Sequence, residues 1–224
     1  MCTLGAKKIR GKFYLFKTRD LKHNIPTRIV VEKKEVKKIL VIDKDNHCEG
    51  LNEYGIGFVE ATLKPHSNKK YIQPSFIGRK ILNQTNLNDA LNVISKYKIS
   101  GNIIISDSKN AIIAERTPSE FAFTKIRDQG IITNHSIKLD KRKCPKKKAN
   151  GVSSITRYYR AKELVKEIKD LKGVERLLSD TRNSPKFSIH NIKTRCSFIY
   201  ELNKREILFY KKIPIKSRAI RYKL

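Results

Sequence analysis

The sequence predicts an α+β protein in which antiparallel sheets carry helices on their outer faces. Three observations point there. Strand-like runs open and close the chain, helical periodicity falls between them, and no regular strand–helix alternation marks a parallel sheet. A length of 224 residues suits one domain over residues 1–224, with a sizeable core. Hydrophobic residues at 39%, with 10 glycines and 7 prolines, exclude a disordered chain.

Each element has a local reason. Cys2–Ala6 and Phe13–Arg19 are apolar runs around a turn-like 7–12 segment containing Gly11, which reads as a hairpin. Arg28–Val31 and Ile39–Asp43 are short β-branched runs, and Ile56–Leu63 follows the turn Asn52-Glu53-Tyr54-Gly55. Asn86 or Asn88 caps a helix to about Lys96, with Leu87, Leu91 and Ile94 on one face. Ile103–Ser106, Ala111–Glu115, Phe121–Lys125 and Gly130–Thr133 follow as strands, with turns at Lys109-Asn110 and Thr117-Pro118. Residues 138–149 form a basic loop. Ser153 or Ser154 caps a long helix whose apolar face is Ile155, Tyr158, Ala161, Val165 and Ile168, and a short helix spans Val174–Leu178. Thr194–Leu202 and Glu206–Lys212 close the chain as two strands.

Composition narrows the class. No run approaches the roughly 18 apolar residues of a membrane span. Lys7, Lys8 and Arg10 interrupt any apolar leader, so a cytoplasmic protein is expected. Cys2, Cys48, Cys144 and Cys196 form no CxxC pair, and the five histidines lack ligand spacing, so neither metal nor cofactor is expected. Fifty Lys and Arg against 21 Asp and Glu give a formal charge of +29. That charge admits an anionic substrate, non-specific nucleic-acid binding through residues 138–149 and the Lys211–Lys223 tail, or no function at all.

Cys2 carries the sharpest chemical signal. Cysteine is small enough for removal of Met1 to be expected, which places a free α-amine beside the thiol. An amine with an ordinary pKa of about 7.7–8.0 accepts the thiol proton near neutrality, so nucleophile and base share one residue.

Several segments surround Cys2 with a known pattern. They are Met1-Cys2-Thr3 before a hairpin, Thr18-Arg19-Asp20 at a strand end, and Asn52-Glu53-Tyr54-Gly55-Ile56-Gly57. Thr133-Asn134-His135, Ser153 through Ala161, and a closing strand pair from Thr194 follow in order. The chain resembles the N-terminal-nucleophile (Ntn) hydrolases related to choloylglycine hydrolase, penicillin V acylase and the isopenicillin-type acyltransferases. Thr18 stands where those proteins often have Asn.

The resemblance implies a four-layer α/β/β/α sandwich and cleavage of a small linear, non-peptide amide through an acyl-Cys2 intermediate. It implies that Asp20 accepts a bond from the Cys2 amine, that Arg19 favours the thiolate, and that Arg157 pairs with Asp20 or the thiolate. Asn134 would donate to the tetrahedral oxyanion beside a backbone N–H near Thr62, where Glu60 and Thr62 replace the family's usual Asn. Cys48 and Cys196 are expected to be inert, Cys144 reactive without function, and His135 structural. Self-association is left open, and the competing class is a non-catalytic, basic nucleic-acid-binding protein.

Overall fold

The computed structural model describes residues 2–21, 26–42, 48–63, 72–139 and 149–224. β1 (Cys2–Ile9) and β2 (Lys12–Asp20) form a hairpin closed by Arg10 and Gly11, both at positive φ (49° and 78°), the two-residue turn that matches strand twist. The hairpin sits inside a six-stranded antiparallel sheet with β10 (Gln129–Ile132), β11 (Thr194–Glu201), β12 (Glu206–Tyr210) and β13 (Ile220–Lys223), in the order β10-β1-β2-β11-β12-β13. The second sheet runs in sequence order through seven antiparallel strands. These are β3 (Arg28–Lys33), β4 (Lys37–Ile42), β5 (Cys48–Asn52), β6 (Gly57–Thr62), β7 (Gly101–Ser106), β8 (Ala111–Arg116) and β9 (Phe121–Ile126).

Period-two patterning on strands buried on both faces builds the layers. Leu4, Leu15, Phe198 and Ile207 of the first sheet meet Ile39, Val41, Leu51 and Ile104 of the second in a central apolar layer. The opposite face of the second sheet, with Leu40, Phe58 and Ile105, packs under α1 (Gly78–Leu82) and α2 (Leu87–Lys96). The outer face of the first sheet, with Phe16, Ile199 and Leu208, packs under α3 (Ala149–Leu164) and α4 (Leu171–Leu178). The fold is therefore the four-layer α/β/β/α sandwich. On β1, Gly5 faces Phe16 so closely that an added Cβ would lie 2.1 Å from the ring, so only glycine fits there.

Several boundaries differ from the sequence reading. The first hairpin is longer at both turn ends, because Lys7 and Lys12 stay in the ladder. The Asn86 side chain caps α2 as expected, accepting from the Asp89 N–H. Ser153 and Ser154 do not cap α3, which already begins at Ala149; their hydroxyls bond sideways to other segments. Ile155 is correspondingly exposed, and Ala161, Val165 and Ile168 carry the apolar contact. β5, α1 and β13 were not expected. Asp43, Cys144 and residues 140–148 of the basic segment lie outside the described residues. Among the described residues no helix is long and apolar enough to cross a membrane, and no group of His, Cys, Asp or Glu is arranged to hold a metal ion.

Candidate active site

Hairpin register places Cys2 opposite Arg19 and Thr3 opposite Thr18. The Cys2 side chain belongs to the central layer and is 9% exposed, at the layer's rim. Its nitrogen donates to Asn134 Oδ1 at 2.6 Å.

Asn134 arrives there because β10 pairs with β1, Ile132 against Leu4, and the chain runs on two residues past that pair. The turn is clamped. Asn102 Nδ2 donates to the carbonyls of Thr133 (2.7 Å) and His135 (2.9 Å), while Ser154 Oγ accepts from the Asn134 N–H at 2.9 Å. Asn134 Nδ2 donates to the Thr62 carbonyl on β6 at 2.9 Å, so one carboxamide bridges the two sheets. The amide orientation follows from its partners. Reversed, it would set a donor against the Cys2 nitrogen and an oxygen against the Thr62 carbonyl. An amide nitrogen carries two hydrogens, and the second is not needed for the Thr62 bond.

Arg157, in the third turn of α3, is fully buried and ties these parts together. Nη1 donates to the Cys2 carbonyl at 2.7 Å and to Thr3 Oγ1 at 2.9 Å; Nη2 donates to Asn134 Oδ1 at 3.2 Å. The same guanidinium lies 3.9 Å from Asp20 Oδ2. Burial lowers its pKa, and Asp20 and then Cys2 oppose that shift.

Asp20 is 2% exposed and accepts from Asn191 Nδ2 and Thr194 Oγ1, both at 2.8 Å. The Cys2 nitrogen donates to Asn134 Oδ1, and Asp20, expected to accept from the Cys2 amine, lies beside the Arg157 guanidinium. Arg19 donates to Glu49 Oε1 at 2.9 Å, and Glu60 lies 3.8 Å from Lys17. His135 sits beyond Asn134, with Nδ1 3.0 Å from Thr133 Oγ1 and 2.9 Å from Ser154 Oγ. Burial, then the nearby Arg157 charge, pushes it down to about 4, so its ring is neutral at physiological pH. Burial pushes the Cys48 thiol up to about 11 and the Cys196 thiol up to about 12.

Sequence reasoning brought Cys2, Arg19, Asp20, Glu60, Thr62, Asn134 and Arg157 to one region. It missed Lys17, Glu49, Asn102, Asn191 and Thr194. For Lys17 a signal existed, since strand alternation continues the inward set Phe13, Leu15 directly onto it.

Two facing antiparallel sheets between helical layers, with a cysteine on the first inner strand, define the Ntn-hydrolase sandwich. The chain belongs to the acyl-coenzyme A:6-aminopenicillanic acid acyl-transferase family, whose model matches residues 9–214, and so to the choloylglycine hydrolase and penicillin V acylase group of hydrolases and acyltransferases. Among solved structures it is similar to penicillin V acylase from Agrobacterium tumefaciens, with TM-score 0.62, 11% identity, and coverage of 100% of this chain and 86% of that one. A variant of the conjugated bile acid hydrolase from Clostridium perfringens gives TM-score 0.63 and 12% identity over 100% and 92% of the two chains. A second variant of that hydrolase gives 0.58 and 13% over 100% and 97%. At these identities the likeness speaks for the fold. No curated protein matches the chain in sequence.

Proposed function

We propose that the protein cleaves a small linear, non-peptide amide through an acyl-Cys2 intermediate, released to water or to an acceptor amine. The observation that carries this reading is the 2.6 Å bond from the Cys2 nitrogen to Asn134 Oδ1, braced by Arg157 on the carbonyl of the same residue. Once Met1 is removed, that nitrogen is the α-amine. One of its two N–H groups donates to Asn134 Oδ1, which leaves the lone pair free to take the thiol proton.

The sulfur then attacks the acyl carbon, a C–S bond forms, and the carbonyl π electrons move onto oxygen. The second N–H of Asn134 is the donor available to that oxyanion. Collapse breaks the C–N bond, and the departing amine takes the proton held on the Cys2 nitrogen. Water or an acceptor amine repeats the attack on the thioester, losing its proton to the same nitrogen as the thiolate leaves. In this reading Arg157 fixes the backbone of Cys2, Asp20 supplies the charge beside Arg157, and neither transfers protons. Arg19 lies on the strand opposite Cys2 and adds positive charge to the inter-sheet layer.

Replacing Cys2 with Ala tests the proposal on a panel of N-acyl amides. Hydrolysis should fall to background with the fold intact by circular dichroism. A Cys2→Ala protein that still cleaves every amide the wild type cleaves would overturn it.

A further inference from the structure

In the central layer beneath Cys2 the chain buries charge where neighbouring rows bury hydrocarbon. The inward positions of β2 run Phe13, Leu15, Lys17 and Arg19. Lys17 is 1% exposed, Arg19 5%, Glu49 1% and Glu60 8%. Stripping water from such groups is costly, and a well-packed hydrophobic set of similar volume commonly stabilises a fold as well or better. Stability alone is therefore a poor reason for this cluster.

Glu49 is its hub. Oε1 accepts from Lys17 Nζ at 2.8 Å and Arg19 Nη1 at 2.9 Å; Oε2 accepts from Lys17 Nζ at 2.7 Å and from the backbone N–H of Glu60 at 2.9 Å. The β5–β6 ladder pairs Gly50 with Phe58 and Leu51 with Gly57, and past it the Glu49 carboxylate itself takes the Glu60 N–H. One side chain from the second sheet thus fixes two cations of the first. Cys2 pairs with Arg19 and Leu4 with Lys17, so Lys17 is the diagonal neighbour of Cys2 on the same face, within reach of a long side chain. Burial pulls the Lys17 ammonium down, but Glu49, Cys2 and Glu60 together push it above its ordinary value, so it stays charged.

We infer that Glu49 is a positioning residue for Cys2, holding the Lys17 ammonium under the sulfur so that a fixed cation faces it when it carries negative charge. Lys17 keeps its proton throughout. The inference rests on Cys2 being the nucleophile.

The test uses the full chain as wild type, Glu49→Gln, Lys17→Met and the Lys17→Met/Glu49→Gln pair. Two quantities are read: the urea midpoint, and the rate at which iodoacetamide alkylates Cys2 at pH 7.5, followed by peptide mass. Glu49→Gln takes the hydrogen-bonded carboxylate from two buried cations, Lys17 and Arg19, so both the midpoint and the Cys2 rate should fall, the latter by about tenfold or more. The double variant removes the Lys17–Glu49 pair but also takes Glu49 from Arg19, so the midpoint should recover in part while the Cys2 rate stays down by about tenfold. A double variant that alkylates Cys2 within about twofold of wild type would show that the pair serves the fold alone. If the double variant does not fold, Lys17→Arg decides. It keeps a cation on Glu49, so a rate within about threefold of wild type supports the inference, and a loss as deep as that of Glu49→Gln overturns it. Should wild-type Cys2 react no faster than Cys48 and Cys196, the nucleophile reading fails and this inference goes with it, an outcome visible before any variant is compared.

Discussion

Arg157 on α3 donates 2.7 Å to the carbonyl of Cys2, a residue 155 positions earlier, while the same guanidinium donates to the side chain that receives the Cys2 nitrogen. Both backbone polar groups of Cys2 are therefore held by one rigid unit, and the thiol's position is set by a helix packed outside the sheet. Loss of Arg157 should reach the reaction without any contact to substrate.

Arg157→Ala removes the cation beside the buried Asp20 carboxylate and the side-chain donor to the Cys2 carbonyl. The expected cost is about 3–5 kcal/mol in urea unfolding, with most turnover lost. Arg157→Lys keeps a charge but not the fork, so it should recover part of the stability and little of the turnover. Equal recovery of both would mean that charge, and not geometry, is what matters there.

Asn134→Asp keeps the acceptor for the Cys2 nitrogen and removes both the N–H that donates to the Thr62 carbonyl and the one proposed for the oxyanion. Turnover should drop by about 10²–10³, the usual cost of one oxyanion donor. A drop of less than threefold would remove Asn134 from that role.

The three described cysteines should separate by reactivity. Cys48 and Cys196 are 1% and 3% exposed, and burial holds both as thiols at pH 7.5. Iodoacetamide should mark Cys2 first, as read by peptide mass, and Cys48 and Cys196 only after urea is added.

His135 gives a pH signature. Its pKa is about 4 in the fold, against about 6.5 unfolded, so the unfolded chain binds more protons between those values. Stability should therefore fall as pH drops through that window and level off below it. His190, also pushed down by burial, contributes in the same direction. His135→Asn should flatten the slope in part; an unchanged slope of midpoint against pH would refute the assignment.

Charge gives a further expectation. Turnover on a neutral amide should change by less than about threefold between about 50 mM and several hundred millimolar salt, because distant surface charges are screened. Any DNA or RNA binding measured in parallel should be sequence-independent and fall steeply over that range.

The four-layer sandwich was legible through the family resemblance that an ordered set of short motifs carries, while strand and helix patterning alone reached only mixed α and β with antiparallel pairs. Asn134 and Arg157 could be named from those motifs, but the direction of their bonds could not. Which atom of Asn134 faces Cys2 depends on Thr62, on the other sheet. Ser154 was misread as a cap because its hydroxyl is engaged by the Asn134 turn, a contact across 20 positions that no local rule foresees. β5 escaped notice because Glu49 and Gly50 look like turn residues, although one anchors buried cations and the other abuts the Ile39 carbonyl. β13 alternates Ile220 and Tyr222 with Arg221 and Lys223, but at four residues the run is too short to stand out in a basic tail.

The central claim is a thioester on Cys2 of a chain that has lost Met1. Acid quenching during turnover of a slowly hydrolysed N-acyl amide, followed by intact and peptide mass measurement, tests it directly. The expected species is the chain lighter by one methionine and heavier by one acyl group, with the added mass on the peptide that begins at Cys2. An active, homogeneous preparation that retains Met1, or an acyl group found on any other residue, would contradict it.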